Sequence, residues 1–132
     1  MEAPQGGADP AAAELMRNGT AMSAPLLGCL LGGVFFAAVG QVLFKVGATG
    51  RSELYDFFNP AIAIGLLCYG LGTVLWIFAL SKAPLTVVYP FTALTFVLVY
   101  AAGMIFFGEA ISARSLSGIV LILVGLFLVN AK

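Results

Sequence analysis

PLLGCLLGGVFFAAVGQVLFKVG, residues 25–47, is an apolar run broken only near its end, by Gln41 and Lys45. As a helix, about 20 apolar residues cross the roughly 30 Å hydrocarbon core of a bilayer. The rest of the chain agrees with that reading, because 61% of it is hydrophobic, only 9% is charged and the mean hydropathy is +1.08. Six basic and six acidic side chains cannot cover a water-soluble domain of 132 residues, whereas a bilayer makes an apolar exterior favourable. The fold class is therefore all-α and integral to a membrane.

Three further apolar runs, at about 60–80, 84–107 and 112–130, complete a four-transmembrane-helix bundle. Pro25, Pro60 and Pro84 fall where a first helical turn accepts proline, and Ser112 is placed to cap the last helix. The connections GATGRSELYDFFN, SKA and GEAI are short, so successive helices are antiparallel neighbours within one domain, 25–132. Residues 1–24 differ in composition, with Ala, Gly and Pro dominant, and predict a disordered tail with room for one short helix at AAAELM. The tail opens with an acidic residue and has no apolar core close behind it, unlike a secretory signal.

Cys29 and Cys68 both lie inside spans and read as small packing residues. The chain has no histidine, which excludes a histidine-based triad, metal site or proton relay. No metal, cofactor, enzymatic chemistry or nucleic-acid partner is expected.

Orientation in helical membrane proteins follows an excess of Lys and Arg in cytoplasmic loops. Here Arg17, Lys82 and Lys132 fall on one side and Lys45, Arg51 and Arg114 on the other, so the excess vanishes. Such a chain can insert both ways, and two opposed copies would form an antiparallel, inverted-repeat dimer. A parallel dimer, or a heterodimer whose partner settles the orientation, is the alternative. Small-residue spacings suited to close helix packing occur at Gly28 and Gly32, at Ala61 and Gly65, and at Gly118 and Gly125. The last pair, on one face of GIVLILVGLFLVN, is the candidate dimer interface.

At helical spacing Ala37, Gln41 and Lys45 form one stripe, each about 6 Å along the axis from the last. By itself Lys45 reads as an interfacial anchor whose stem snorkels to the headgroups. An amide one turn deeper on the same face suggests instead a polar wall ending in an ammonium, which suits an anion at headgroup depth. Glu109 and Arg114, in the third connection and the start of the fourth helix, share a membrane side with Lys45. Glu109 could stay solvated, cap the fourth helix, or pair with Lys45 or Arg114 around a substrate. Tyr69 and Trp76, seven residues apart, and Thr92, Thr95, Phe96 and Tyr100 supply aromatic and hydroxyl groups. Tyr89-Pro90 interrupts the third helix and frees a backbone carbonyl, which suits a cavity wall.

The stretches GQVLFK, LGTVLWIFALSKAPLTVVYPFTAL and FFGEAISARSLSGIVLILVGLFLVN together resemble the EamA-type branch of the drug/metabolite transporter superfamily in its four-helix form. Within that branch the likeness is to the ArnE/ArnF-type subunits, which are assigned to flipping aminoarabinose-bearing undecaprenyl phosphate. It covers about residues 26–130. The more distant EmrE-type small multidrug resistance proteins carry an essential first-helix glutamate; matching GVFFAAVGQVLFK to their pattern places Ala37 there. Without a buried carboxylate there is nothing to exchange protons against a cation, and a lysine in the same helix repels cationic drugs.

The resemblance implies a flippase of a lipid-linked anion such as a polyprenyl-phosphate sugar, in a bacterial or archaeal cytoplasmic membrane, acting as a homodimer or with a similar small subunit. On this reading Lys45 holds the phosphate with Gln41 and Arg114, Glu109 stands beside it, and the sugar passes near Tyr89 and Trp76. A small-cation or multidrug exporter, or a non-transporting accessory subunit, remains the alternative.

Overall fold

Proline, asparagine and serine set the helix limits. The computed structural model describes residues 23–130, and no strand occurs among them. Helix α1 spans Ala24–Ala48, α2 Pro60–Leu80, α3 the single turn Leu85–Val88, α4 Phe91–Phe107 and α5 Ala113–Asn130. Of the expected tail only Ser23 and Ala24 are described, as the N-cap and first residue of α1; the short helix at AAAELM lies outside the described residues. The side chain of Asn59 caps α2, accepting the Ile62 N–H at 3.2 Å, while its amide donates to the Gly47 carbonyl at 3.1 Å. Arg51 donates to that same carbonyl, so the end of α1 is tied to the start of α2. Ser112 caps α5, accepting the Ser115 N–H at 3.1 Å.

Two helix boundaries differ from the sequence expectation. Pro84 precedes α3 in an extended conformation rather than joining its first turn. The third span is in two pieces because Pro90 has no N–H to offer the carbonyl four residues back, and the chain turns at Tyr89-Pro90 before α4 resumes. Taken together, Leu85–Phe107 is still long and apolar enough to cross a membrane, as are Ala24–Ala48 and Pro60–Leu80; Ala113–Leu128 is a shorter apolar helix. Large apolar side chains such as Leu67, Ile105 and Phe106 point outward, an arrangement that lipid favours.

Helix α1 is the centre of the packing, lying most extensively against α2 and next against α4, while α5 meets α4 only lightly. The α1–α2 seam is made by glycines at seven-residue spacing, which return to the same helix face. A Cβ on Gly33 would stand 3.2 Å from the Gly72 carbonyl, and one on Gly40 would stand 2.9 Å from the Gly65 carbonyl. At Gly47 it would clash with Ile62. Close approach is thus carried by Gly33, Gly40 and Gly47 against Gly65 and Gly72, and not by the Gly28–Gly32 pair. Gly28 faces open space, and Gly32 meets only the end of Leu75.

Leu26, Leu30, Ala79 and Val88 form a buried cluster, with Trp76, Leu80, Ala83 and Phe91 packed around it. It joins the start of α1, the end of α2 and α3, and so plugs the end of the bundle away from Lys45.

Candidate substrate site

Between the plug and Lys45 lies a half-open cleft of about 590 Å³, walled by α1, α2 and α4. Ala37 and Gln41 of the sequence-derived stripe line it, together with Tyr69, Thr73 and Trp76 of α2 and Thr92, Thr95, Phe96 and Tyr100 of α4. The glycine seam explains the shape. Because Gly40 lacks a side chain, the backbone of Tyr69 can approach α1, and the Tyr69 ring is held against Phe44 with centroids 5.9 Å apart. Trp76 touches the apolar plug and also lines the cleft, so it forms the floor.

Among the described residues no charged side chain lines this cleft. The Thr73 and Thr92 hydroxyls are occupied by the carbonyls of Tyr69 and Tyr89, at 2.9 and 2.6 Å. The Gln41 amide, the Thr95 hydroxyl and the Trp76 indole N–H have no hydrogen-bond partner among the described residues and are available to a ligand. An aromatic wall with a few neutral hydrogen-bonding groups suits a polyhydroxylated or similarly amphipathic group rather than a bare ion.

The charges stand one turn beyond the cleft, at the end opposite its Trp76 floor. Lys45 lies in the last turn of α1, where the helix dipole favours a cation, one turn beyond Gln41. Its Nζ is 3.2 Å from Glu109 Oε1 and 6.0 Å from the centre of the Phe107 ring. Glu109 reaches it because α4 ends at Gly108, whose positive φ of 62° turns the chain back. The N–H of Glu109 then donates to the Gly103 carbonyl at 3.1 Å, and its carboxylate folds over Gly103, with Oε2 2.9 Å from where a Cβ on that glycine would stand. The contact places the ends of α1 and α4 on one side of the bundle, and Ser112, not Glu109, caps α5.

Of the remaining sequence-derived residues, Arg114 is exposed in the first turn of α5 and its side chain makes no ion pair among the described residues. Tyr89 is exposed and does not line the cleft. Thr73 was not singled out by sequence; its position four residues after Tyr69 and three before Trp76 on α2 is the signal that places it on their face. Gly118 borders a smaller groove between α4 and α5, and Gly125, one heptad on, faces open space. Cys29 and Cys68 are half-buried and unpaired.

Residues 6–131 match the model of the EamA-like transporter family. The chain belongs to that family. Among the similar proteins of this EamA-like chain is the "Probable 4-amino-4-deoxy-L-arabinose-phosphoundecaprenol flippase subunit ArnE" of Pseudomonas savastanoi pv. phaseolicola, 30% identical over 103 residues, or 74% of this chain and 90% of that protein. A flippase subunit of the same description, ArnF of Shewanella sediminis, is 40% identical over 74 residues, 54% of this chain and 51% of that protein. ArnE of Yersinia pestis is 38% identical over 69 residues, 52% of this chain and 60% of that protein. The matches to the Shewanella and Yersinia proteins thus span only about half to three-fifths of those relatives. No solved structure matches. The EamA-like chain is a multi-pass membrane protein of a transporter family, and its relatives are named as flippase subunits rather than enzymes.

Proposed function

We propose that this chain takes part in moving a lipid-linked anion, such as a polyprenyl-phosphate sugar, across a bacterial or archaeal cytoplasmic membrane, and that Lys45 holds the phosphate. The observation that carries the proposal is the position of Lys45: an ammonium at the mouth of a neutral, aromatic-walled cleft, one turn above the unpartnered amide of Gln41. The names of the relatives, which pair an aminosugar with a polyprenyl phosphate, support the same substrate class.

In this reading Glu109 is the resting counter-ion of Lys45. Both side chains are about half exposed, at 56% and 55%, and an exposed pair contributes only ~0.2–1 kcal/mol, so a phosphate can displace the carboxylate cheaply. The sugar enters the cleft beside Gln41 and Trp76, and Arg114 meets the substrate only if α5 moves inward. The apolar plug seals the far end, so passage requires Leu30, Val88 and their neighbours to part while the Lys45 end closes. Partnership with a similar small subunit, or with an opposed copy of this chain, supplies the second half of the pathway; the word subunit in the relatives' names favours a partner.

Native mass spectrometry of the purified chain, titrated with a polyprenyl monophosphate and separately with a quaternary ammonium, tests the proposal. The expected outcome is lipid-phosphate adducts on wild type that fall at least about tenfold in Lys45→Ala, with no response to the ammonium. Adducts that survive in Lys45→Ala would return the lysine to the role of interfacial anchor.

A further inference from the structure

A second groove, of about 280 Å³, runs between α4 and α5 beside the main cleft. Phe96 and Tyr100 line both, so the two spaces are separated by a partition of two aromatic side chains. On the α5 side the groove is bordered by Gly118, Ile119 and Ile122, and on the α4 side by the small, buried Ala93. Gly118 borders the groove and nothing lies within 4 Å of where its Cβ would stand, so a long side chain there has room to occupy the space. The helices around it are loosely joined, since α5 meets α4 only lightly and makes its other close contacts with nothing more extensive.

We infer that this groove receives the isoprenoid or acyl chain of the substrate whose phosphate Lys45 holds, with Phe96 and Tyr100 forming the movable partition between chain and headgroup; the inference rests on the reading of Lys45 above. Both spaces are mostly apolar, and they differ in the hydrogen-bonding groups left free for a headgroup. The cleft offers the unpartnered Gln41 amide, Thr95 hydroxyl and Trp76 indole N–H, while in the groove the Ser115 hydroxyl is already paired with that of Ser112 at 3.0 Å. A hydrocarbon chain in the cleft would cover those free groups without bonding them, whereas a side groove lets the chain stay in apolar surroundings while the headgroup moves. The light α4–α5 contact lets α5 swing without breaking a large interface.

The test uses the full chain in lipid nanodiscs with a polyprenyl monophosphate carrying a photoreactive group on its first isoprene unit. Labelling is expected on Gly118–Leu123 of wild type, displaced by unlabelled polyprenyl monophosphate and not by added phospholipid. In Gly118→Leu the long-chain ligand should bind about tenfold more weakly, while dimethylallyl monophosphate, which has the phosphate and almost no chain, binds as to wild type. Labelling spread over outward residues such as Leu27 and Ile64, equal displacement by phospholipid, or undiminished long-chain binding in Gly118→Leu would overturn the inference. A change of oligomer size in that variant with lipid binding intact would also overturn it, and would make the groove a seat for a partner helix. Failure of either phosphate to depend on Lys45 would instead remove the reading of Lys45.

Discussion

Lys45 and Glu109 meet because two backbone devices bring a loop carboxylate back toward the membrane. The left-handed turn at Gly108 reverses the chain, and the absence of a side chain at Gly103 leaves the notch that the carboxylate occupies. Gly103→Ala places a methyl group 2.9 Å from Glu109 Oε2 and should push the carboxylate off Lys45. If Glu109 competes with phosphate for the ammonium, Gly103→Ala and Glu109→Gln should both tighten polyprenyl monophosphate binding, by about two- to fivefold for a pair worth ~0.5–1 kcal/mol. Weaker binding in both variants, measured by titration, would mean that the carboxylate supports the ligand directly. Gln41 and Lys45 were legible in the sequence because polar residues stand out in an apolar run. The seat of Glu109 was not, since it depends on how α4 ends and on a notch formed by a glycine indistinguishable, in sequence, from the others among 16. Tyr89 illustrates the opposite case: the Tyr-Pro break was legible and occurs, but the break turns the tyrosine ring outward.

At the scale of the helices, the seam between α1 and α2 governs the cleft. Gly40 has no room for a methyl group, with Gly65 and Tyr69 backbone atoms at 2.9 and 3.0 Å, whereas Gly28 has nothing within 4 Å. Gly40→Ala should therefore destabilise the fold by ~1–3 kcal/mol through overpacking and narrow the site at Tyr69, while Gly28→Ala should stay within about 0.5 kcal/mol of wild type. Thermal unfolding of both variants in the same detergent checks the contrast, and equal midpoints would contradict the seam. The spans themselves were readable from hydropathy, proline placement and Ser112. Which glycines make the seam was not, because a GxxxG spacing and a heptad spacing are both abundant in this chain and only the rotation of α1 against α2 selects between them.

At the scale of the whole molecule, the bundle is closed at one end by an apolar plug of Leu26, Leu30, Ala79 and Val88, while at the other α1 is tied to α2 through the Gly47 carbonyl and joined to the end of α4 by the exposed Lys45–Glu109 pair. On the proposed function, the Lys45–Glu109 contact between α1 and α4 is the one that gives way to substrate, while the α1–α2 tie stays. Dimerisation through α5, with Gly118 and Gly125, is the competing use of the face that borders the groove: that face is apolar and exposed, which serves lipid and a partner helix equally. The family was legible because its motifs lie in the spans that sequence delimits, and the mouth of the cleft is where two of them, GQVLFK and GEAIS, converge in space. The central claim, that this mouth is a phosphate site, is tested most directly by solid-state NMR of the ¹⁵N-lysine-labelled chain in liposomes with a bound polyprenyl monophosphate. The account predicts a nitrogen–phosphorus contact of about 4 Å or less that disappears from the ¹⁵N-lysine signal in Lys45→Arg. A Lys45 nitrogen with no phosphorus neighbour while the lipid is bound would contradict it.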